Sequence, residues 1–254
     1  MFGRYLLIGG IAGLFSGFFG VGGGIVMVPL IMFFLGFDQK KAATHSLVAI
    51  MPTALFASIT YFVSGTVPLD QIGFGLCIAV GSALTAPLGT KALRRWNILT
   101  IRWIFLIALV VAAIFVFTAL PDRNSHLEWN WATAVVLLLL GGVMGFLAGL
   151  LGIGGGLLVV PALILGYGIS DLTAKALSLV AIVAGSVSGT IESSRAGKVS
   201  WGVGLALGLP MSFAGTAGVW LATIIPGELA MPIFAALMIF AASQIALGSK
   251  KKIS

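Results

Sequence analysis

The chain has 254 residues, of which 59% are hydrophobic and only 8% are charged, and its mean hydropathy is +1.16. Soluble domains contain about 25% charged residues, so this composition excludes an ordinary soluble enzyme or binding domain and indicates an all-α integral membrane protein. The net charge of +7 comes mostly from basic residues that flank apolar segments. Orientation and contact with membrane lipid explain such residues, so no nucleic-acid partner is expected.

Apolar segments follow one another along the chain and are predicted to be helices, because lipid offers backbone groups no partner outside a helix or a closed barrel. The first part contains two arms separated by glycines, then three spans, at 3–20, 24–36, 42–64, 70–91 and 102–120. The polar stretch PDRNSHLEWN occupies 121–130. The same order then recurs, with arms and spans at 131–151, 155–168, 174–194, 200–222 and 229–248.

The recurrence is an internal repeat. A shift of 132 residues aligns 9–67 with 141–199 without a gap and gives 20 identities in 59 positions. The aligned identities include the clusters GVGGG and GIGGG together with Pro29 and Pro161. The sequence therefore predicts a first transmembrane repeat at 1–120, an extracytoplasmic linker at 121–130 and a second repeat at 131–254.

The basic residues decide how each pair of arms is arranged. If a pair crosses the membrane once, the 14 basic residues divide equally between the two sides. If each pair is a hairpin that returns to its starting side, 12 fall on one side and only Arg123 and Lys175 on the other. Cytoplasmic flanks carry the positive excess, so hairpins are predicted, re-entrant or nearly spanning, with both termini cytoplasmic. A hairpin plus three spans makes an odd number of crossings, which predicts two repeats of inverted topology, an arrangement found in many secondary transporters.

The three consecutive glycines in each cluster indicate a backbone turn, since such a run is costly inside a helix. The second arm begins there, and its first amide groups can hold an anion. The alternative is that the glycines only permit a tight hairpin. A second pattern, glycine every four residues along each first arm, is predicted to be helix packing. The predicted substrate-binding glycines are Gly20, Gly22, Gly23, Gly24, Gly152, Gly154, Gly155 and Gly156.

Polar residues at the start of the following span can complete such a site. Thr44, His45 and Ser46 lie there in the first repeat, and Ser178 is the equivalent of Ser46. Hydroxyl groups can donate to an anion, whereas a lone histidine can equally be a helix-end residue.

Charged residues elsewhere in the second repeat have two interpretations each. Glu192 and Arg195 are three residues apart on one helix, so a structural ion pair or a proton relay is expected. Lys175 is either an attractant for anions at the outer mouth or a solvated residue at a helix start.

These motifs carry a resemblance to a known family. The doubled G-x-G-G-G turn, the proline five residues beyond it and the alanine-x-x-x-serine start of the next helix resemble the TauE/SafE sulfite exporter family, also called the toluene sulfonate uptake permease family. The resemblance covers essentially the whole chain. It implies a transporter of sulfite, thiosulfate, sulfonates or related organic anions, with the site at the two glycine turns and Ser46 and Ser178 nearby. Ala176 and Leu177 stand where the first repeat is polar, which argues against equal contributions from the two repeats.

The leading hypothesis is therefore a multi-pass secondary transporter of the cell membrane that moves a small anion by alternating access, with a proton or sodium ion as coupling partner. A passive anion channel is the alternative, and an intramembrane enzyme is disfavoured because no G-x-S-x-G, H-E-x-x-H or intramembrane aspartate pair occurs. With two histidines and one cysteine, neither a metal site nor another cofactor is expected. The anion, the direction of transport and the oligomeric state stay open.

Overall fold

The computed structural model describes residues 2–118, 129–227, 229–230, 232–236 and 238–239. Its regular structure is helical throughout these residues, with no strand. A single 3-10 turn at Leu69–Gln71 precedes the fourth helix. The helices are α1 (Phe2–Phe19), α2 (Gly24–Leu35), α3 (Gln39–Val63), α4 (Ile72–Arg95), α5 (Ile98–Thr118), α6 (Trp131–Leu151), α7 (Gly156–Tyr167), α8 (Asp171–Arg195) and α9 (Trp201–Ile224).

Five segments in the described part of the chain are long and apolar enough to cross a membrane, namely 39–63, 69–95, 131–151, 171–195 and 201–224. This number of apolar helices is that of a multi-pass membrane protein. The first nine segments predicted from the sequence correspond, in order, to helices α1 to α9. The tenth, at 229–248, is described only at 229–230, 232–236 and 238–239, which are helical, and most of the predicted linker at 121–130 lies outside the described residues.

The two arms of each pair are helices of unequal length. Helices α1 and α6 contain 18 and 21 residues, whereas α2 and α7 contain 12 residues each. At 1.5 Å per residue the shorter arms measure about 18 Å, against about 30 Å for the hydrocarbon core. The second arm of each hairpin is therefore too short to span a bilayer.

Helices α3 and α8 begin three residues earlier than the sequence predicted, because each has a polar N-cap. The carboxylate of Asp38 accepts a hydrogen bond from the amide of Lys41 at 2.8 Å. At the equivalent position, Ser170 Oγ accepts from the amide of Thr173 at 3.0 Å. These caps satisfy amides that the first turn of a helix leaves without partners, so they fix the register of both helices.

The glycine stripes of α1 and α6 are packing surfaces, as predicted. A Cβ placed on Gly9 would lie 2.6 Å from the carbonyl oxygen of Leu207 on α9, and Cβ atoms on Gly13 and Gly17 would overlap α9 backbone. The stripe of α6 is packed in the same way against α4, where a Cβ on Gly145 would lie 2.5 Å from the Cα of Ser82. Backbones this close require glycine.

These contacts cross between the repeats. Helix α1 of the first repeat packs on α9 of the second, and α6 of the second packs on α4 of the first. In the centre, α3 contacts α8, and each of them also packs against the fourth helix of the other repeat. The predicted boundary at 121–130 thus separates two sequence repeats, but the repeats share a single interlocked core.

Candidate functional site

The two glycine clusters form turns of nearly identical conformation. In the first turn, Gly20, Gly22 and Gly23 have φ angles of 68°, 79° and 69°. The equivalent glycines of the second turn, Gly152, Gly154 and Gly155, have φ angles of 70°, 79° and 80°. Left-handed backbone at three of four successive positions is accessible to glycine at little cost, which explains the composition of both clusters.

The two turns lie against each other. A Cβ on Gly156 would lie 2.7 Å from the carbonyl oxygen of Gly20 and 2.8 Å from the Cα of Val21. Reciprocally, a Cβ on Gly24 would lie 2.5 Å from the carbonyl oxygen of Gly152. Backbones this close leave room only for the hydrogen of a glycine. Every residue of 20–24 and of 152–156 is buried.

Both turns present helix N-termini. Gly23 and Gly155 are the N-cap residues of α2 and α7, and neither cap is satisfied by a side chain. The first amides of each helix have no intrahelical acceptor, and the positive end of the helix dipole lies at the turn. A left-handed residue followed by a helical one also points successive N–H groups into one concavity, an arrangement suited to anions.

The predicted serines lie beside these turns. Ser46 and Ser178 are each 0% exposed, and neither hydroxyl has a hydrogen-bond partner. The Oγ of Ser178 is 2.6 Å from the position of a Cβ on Gly156. One helical turn beyond the serines, Ile50 and Ile182 pack over Gly22, whose Cβ would lie 3.4 and 3.2 Å from their methyl groups. Buried polar atoms are almost always hydrogen-bonded, so these two equivalent hydroxyls are donors available to a ligand.

Thr44 and His45 are buried near the start of α3, but they do not repeat across the two halves. The Thr44 hydroxyl donates to the carbonyl oxygen of Lys40 at 2.9 Å, so its proton is already used within the helix. His45 donates from Nδ1 to the carbonyl oxygen of Lys41 at 2.7 Å and packs against Phe37. Its Nε2 atom is buried and has no partner.

The hydrogen-bonded ion-pair partner of Glu192 in the structure is Arg94, not the expected Arg195. Glu192 accepts a hydrogen bond from Arg94 on α4 at 2.7 Å. Lys40 donates to the carbonyl oxygens of Arg94 and Trp96, at 3.2 and 2.8 Å, and so fixes the same end of α4. The register of α4 against α8 places the Arg94 guanidinium opposite Glu192. A spacing pattern within one helix cannot predict a partner on another helix.

Lys175 is not the solvated residue that one of its two interpretations describes. Its side chain is 2% exposed, and its Nζ donates to Asp171 at 2.9 Å, one helical turn away on α8. The sequence did carry this signal as an Asp-to-Lys spacing of four, but the predicted helix began at 174 and so excluded Asp171.

A third buried hydroxyl near the first turn was not predicted from the sequence. Ser16 on α1 is 0% exposed and its hydroxyl has no partner. Its Cβ is 3.0 Å from the position of a Cβ on Gly23. The equivalent residue of the second repeat is Ala148. In the sequence, this serine-to-alanine difference between the repeats is the one feature that distinguishes Ser16 from the small packing residues around it.

Comparison with known proteins identifies the family of the chain. The family described as "Sulfite exporter TauE/SafE" matches residues 2–116 and 136–254. The "Probable membrane transporter protein YunE" of Bacillus subtilis is 29% identical over 84% of this chain and 85% of its own. A "Probable membrane transporter protein" of Xylella fastidiosa is 29% identical over 78% of this chain and 76% of its own. The "Probable membrane transporter protein MJ0441" of Methanocaldococcus jannaschii is 26% identical over 84% of each chain.

Proposed function

Because this chain belongs to the TauE/SafE sulfite exporter family, we propose that it is a secondary transporter of a small sulfur-containing or organic anion. The substrate class comprises sulfite, thiosulfate, sulfonates and sulfoacetate, and transport takes place across the cell membrane by alternating access. The family and the transporter relatives support the assignment of the chain as a membrane transporter.

One observation carries the proposal. Ser46 and Ser178, equivalent in the repeat, are fully buried beside the two glycine turns with hydroxyls that have no partner. Hydroxyl and amide donors suit a sulfur oxyanion because it presents several acceptor oxygens. A hydrogen bond to a charged group contributes about 1.5–3 kcal/mol, so two hydroxyls and a few amides are enough for selective binding.

The conformation supports alternating access. The turns are buried and packed against each other, so an anion can bind only when they part. Reciprocal contacts between equivalent residues are typical of a two-fold relation. With hairpins that return to their starting side, that relation makes the repeats inverted, with both termini in the cytoplasm, and the turns meet near the middle of the bilayer.

Flux measurements in proteoliposomes test the proposal. We expect the purified chain to exchange radiolabelled sulfite, thiosulfate or sulfoacetate across the vesicle membrane. Gly22→Ala and Gly154→Ala add a methyl group where the turns meet and should lower flux at least about tenfold, the effect of about 1.4 kcal/mol. Gly36→Ala is the matched control, because its φ of 68° imposes the same backbone strain while its Cβ would enter open space.

Two results would contradict the proposal. Equal flux from Gly22→Ala, Gly154→Ala and Gly36→Ala would remove the turns from the site. Single-channel currents far above the turnover of a transporter would identify a passive anion channel.

A further inference from the structure

A buried ion pair lies next to the first glycine turn. The side chains of Lys175 and Asp171 are 2% and 0% exposed, and the Nζ–Oδ2 distance is 2.9 Å. The ammonium group also lies 5.6 Å from the centroid of the Phe18 ring at the end of α1. Removing two charges from water is costly, and ionisable side chains inside membrane-spanning segments are therefore rare and usually functional.

The fold does not require this pair. The equivalent residues of the first repeat are Gln39 and Ala43, which carry no charge. Nevertheless the second turn packs on that position as the first turn packs on Lys175. A Cβ on Gly152 would lie 2.5 Å from the carbonyl oxygen of Ala43, and one on Gly20 would lie 2.5 Å from the Cβ of Lys175. The same helix, turn and contact thus form with and without the charges, so the pair serves a purpose other than folding.

The pair lies within reach of the proposed anion site. Lys175 and Ser178 are three residues apart on α8 and therefore share one face of the helix. The stem of Lys175 runs along Gly20, whose carbonyl oxygen faces Gly156 beside the Ser178 hydroxyl. A lysine carries its charge on a flexible four-carbon stem, so a change of rotamer can move Nζ from Asp171 toward an anion held between the turns.

Asp171 faces helices without carboxylates in the described part of the chain, although the 3-10 turn before α4 contains Asp70. Helices α3, α4, α6 and α7 and the Phe18 end of α1 lie against α8, and none of the five helices contains an Asp or Glu. Tyr61 is the nearby ionisable group on α3, and its hydroxyl donates to the carbonyl oxygen of Gly17 at 2.8 Å. The other ionisable side chains of these helices, including those of α8 itself, are Arg4, Tyr5, Lys40, Lys41, His45, Cys77, Lys91, Arg94, Arg95, Tyr167, Glu192 and Arg195.

We propose that Lys175 and Asp171 couple anion transport to a proton, an inference that rests on the proposed transport function. Without substrate, Lys175 and Asp171 neutralise each other. When an anion binds between the turns, the Lys175 ammonium pairs with it, and the Asp171 carboxylate takes one proton from water on the open side. With a monovalent anion such as hydrogensulfite, the site then contains one positive charge, one negative charge and a neutral acid, so its net charge is zero in both forms. One proton accompanies each anion, and the loaded site crosses without a buried net charge.

Counterflow and driven accumulation distinguish this role from a structural one. The full chain in proteoliposomes is given radiolabelled sulfite, first against unlabelled sulfite at equal pH and then with an imposed pH gradient. Asp171→Asn should retain counterflow within about threefold of the unsubstituted chain but lose pH-driven accumulation, because the amide takes up no proton. Lys175→Gln should lower counterflow about tenfold or more, through loss of a charge-assisted hydrogen bond.

Asp38→Asn is the matched control. Asp38 occupies the corresponding end of α3, is exposed and caps its helix, a task that asparagine performs equally well. Both measurements should be unchanged in this variant.

Several outcomes would overturn the proposal. Undiminished pH-driven accumulation by Asp171→Asn excludes this carboxylate as the proton carrier, and loss of counterflow along with accumulation in a folded Asp171→Asn makes its role structural. If a single variant does not fold, the uncharged pair Asp171→Asn/Lys175→Gln takes its place, since removing both partners of a buried pair is far less disruptive than removing one. Accumulation by that double variant would again refute coupling. An unsubstituted chain with counterflow but no response to pH refutes this inference alone, whereas a chain without any flux refutes the proposed function.

Discussion

Replacing the two orphan hydroxyls should weaken anion binding without weakening the fold. In Ser46→Ala and Ser178→Ala, the protein loses a donor that has no partner within it. An unpartnered buried hydroxyl costs about 1–3 kcal/mol, so alanine at either position should leave the free energy of unfolding unchanged or raise it by about 1 kcal/mol. Binding should change in the opposite sense, because a hydrogen bond to an anion contributes about 1.5–3 kcal/mol, equivalent to about a 10- to 150-fold increase in Kd.

Two measurements on the purified chain test whether stability is kept while anion binding becomes weaker. Equilibrium binding of radiolabelled sulfite gives Kd, and thermal unfolding followed by tryptophan fluorescence gives Tm. Ser212→Ala is the matched control, since Ser212 is 5% exposed and its hydroxyl donates to the carbonyl oxygen of Gly208 at 2.8 Å. That variant loses a hydrogen bond of the fold, so its stability should fall by about 1 kcal/mol while Kd stays the same.

The reasoning fails if the two serines behave as Ser212 does. A lower Tm for Ser46→Ala and Ser178→Ala, with unchanged Kd, would mean that both hydroxyls are satisfied within the fold. A change in Kd for one serine only would show that a single repeat contributes its hydroxyl.

Two further predictions concern stability. Gly9→Ala should lower the free energy of unfolding by about 1–3 kcal/mol, because its Cβ would lie 2.6 Å from the carbonyl oxygen of Leu207. Gly10→Ala, next to it on the same helix, meets nothing within 4 Å and should be neutral or slightly stabilising by the same thermal unfolding assay. Equal effects would contradict the close packing of α1 on α9. Glu192→Gln removes the partner of the Arg94 guanidinium and should lower Tm, whereas the same substitution in an Arg94→Gln background should have a smaller effect. Additive effects of those two substitutions would show that the pair contributes nothing to stability.

The sequence was informative where repeats and backbone chemistry dominate. Three successive glycines, repeated after 132 residues, predicted both turns, and the structure has left-handed backbone at the first two glycines of each run. The glycine stripes predicted packing surfaces, although not that each stripe packs on the other repeat. Periodicity within a helix identifies a buried face, but it does not say which helix covers that face.

Side-chain partners were harder to predict for the same reason. The contact of Arg94 with Glu192 joins residues 98 apart and depends on how α4 is placed along α8, which no local pattern specifies. The burial of Lys175 follows from the first turn covering the start of α8, a tertiary contact. By contrast, Ser46 and Ser178 were found because the repeat retains them while it changes their neighbours Thr44 and His45 to alanine and leucine.

The interlocking of the repeats bears on how such a protein assembles. Each repeat alone would expose the glycine stripe of its first helix, which in the structure is covered by the fourth helix of the other repeat. The molecule therefore resembles an obligate dimer whose two subunits are fused. Severing the chain within 121–130 and producing the fragments together should therefore still yield a functional protein, whereas either fragment alone should be degraded. The linker at 121–130 would then ensure that one copy of each repeat is made at the same time and in the same membrane.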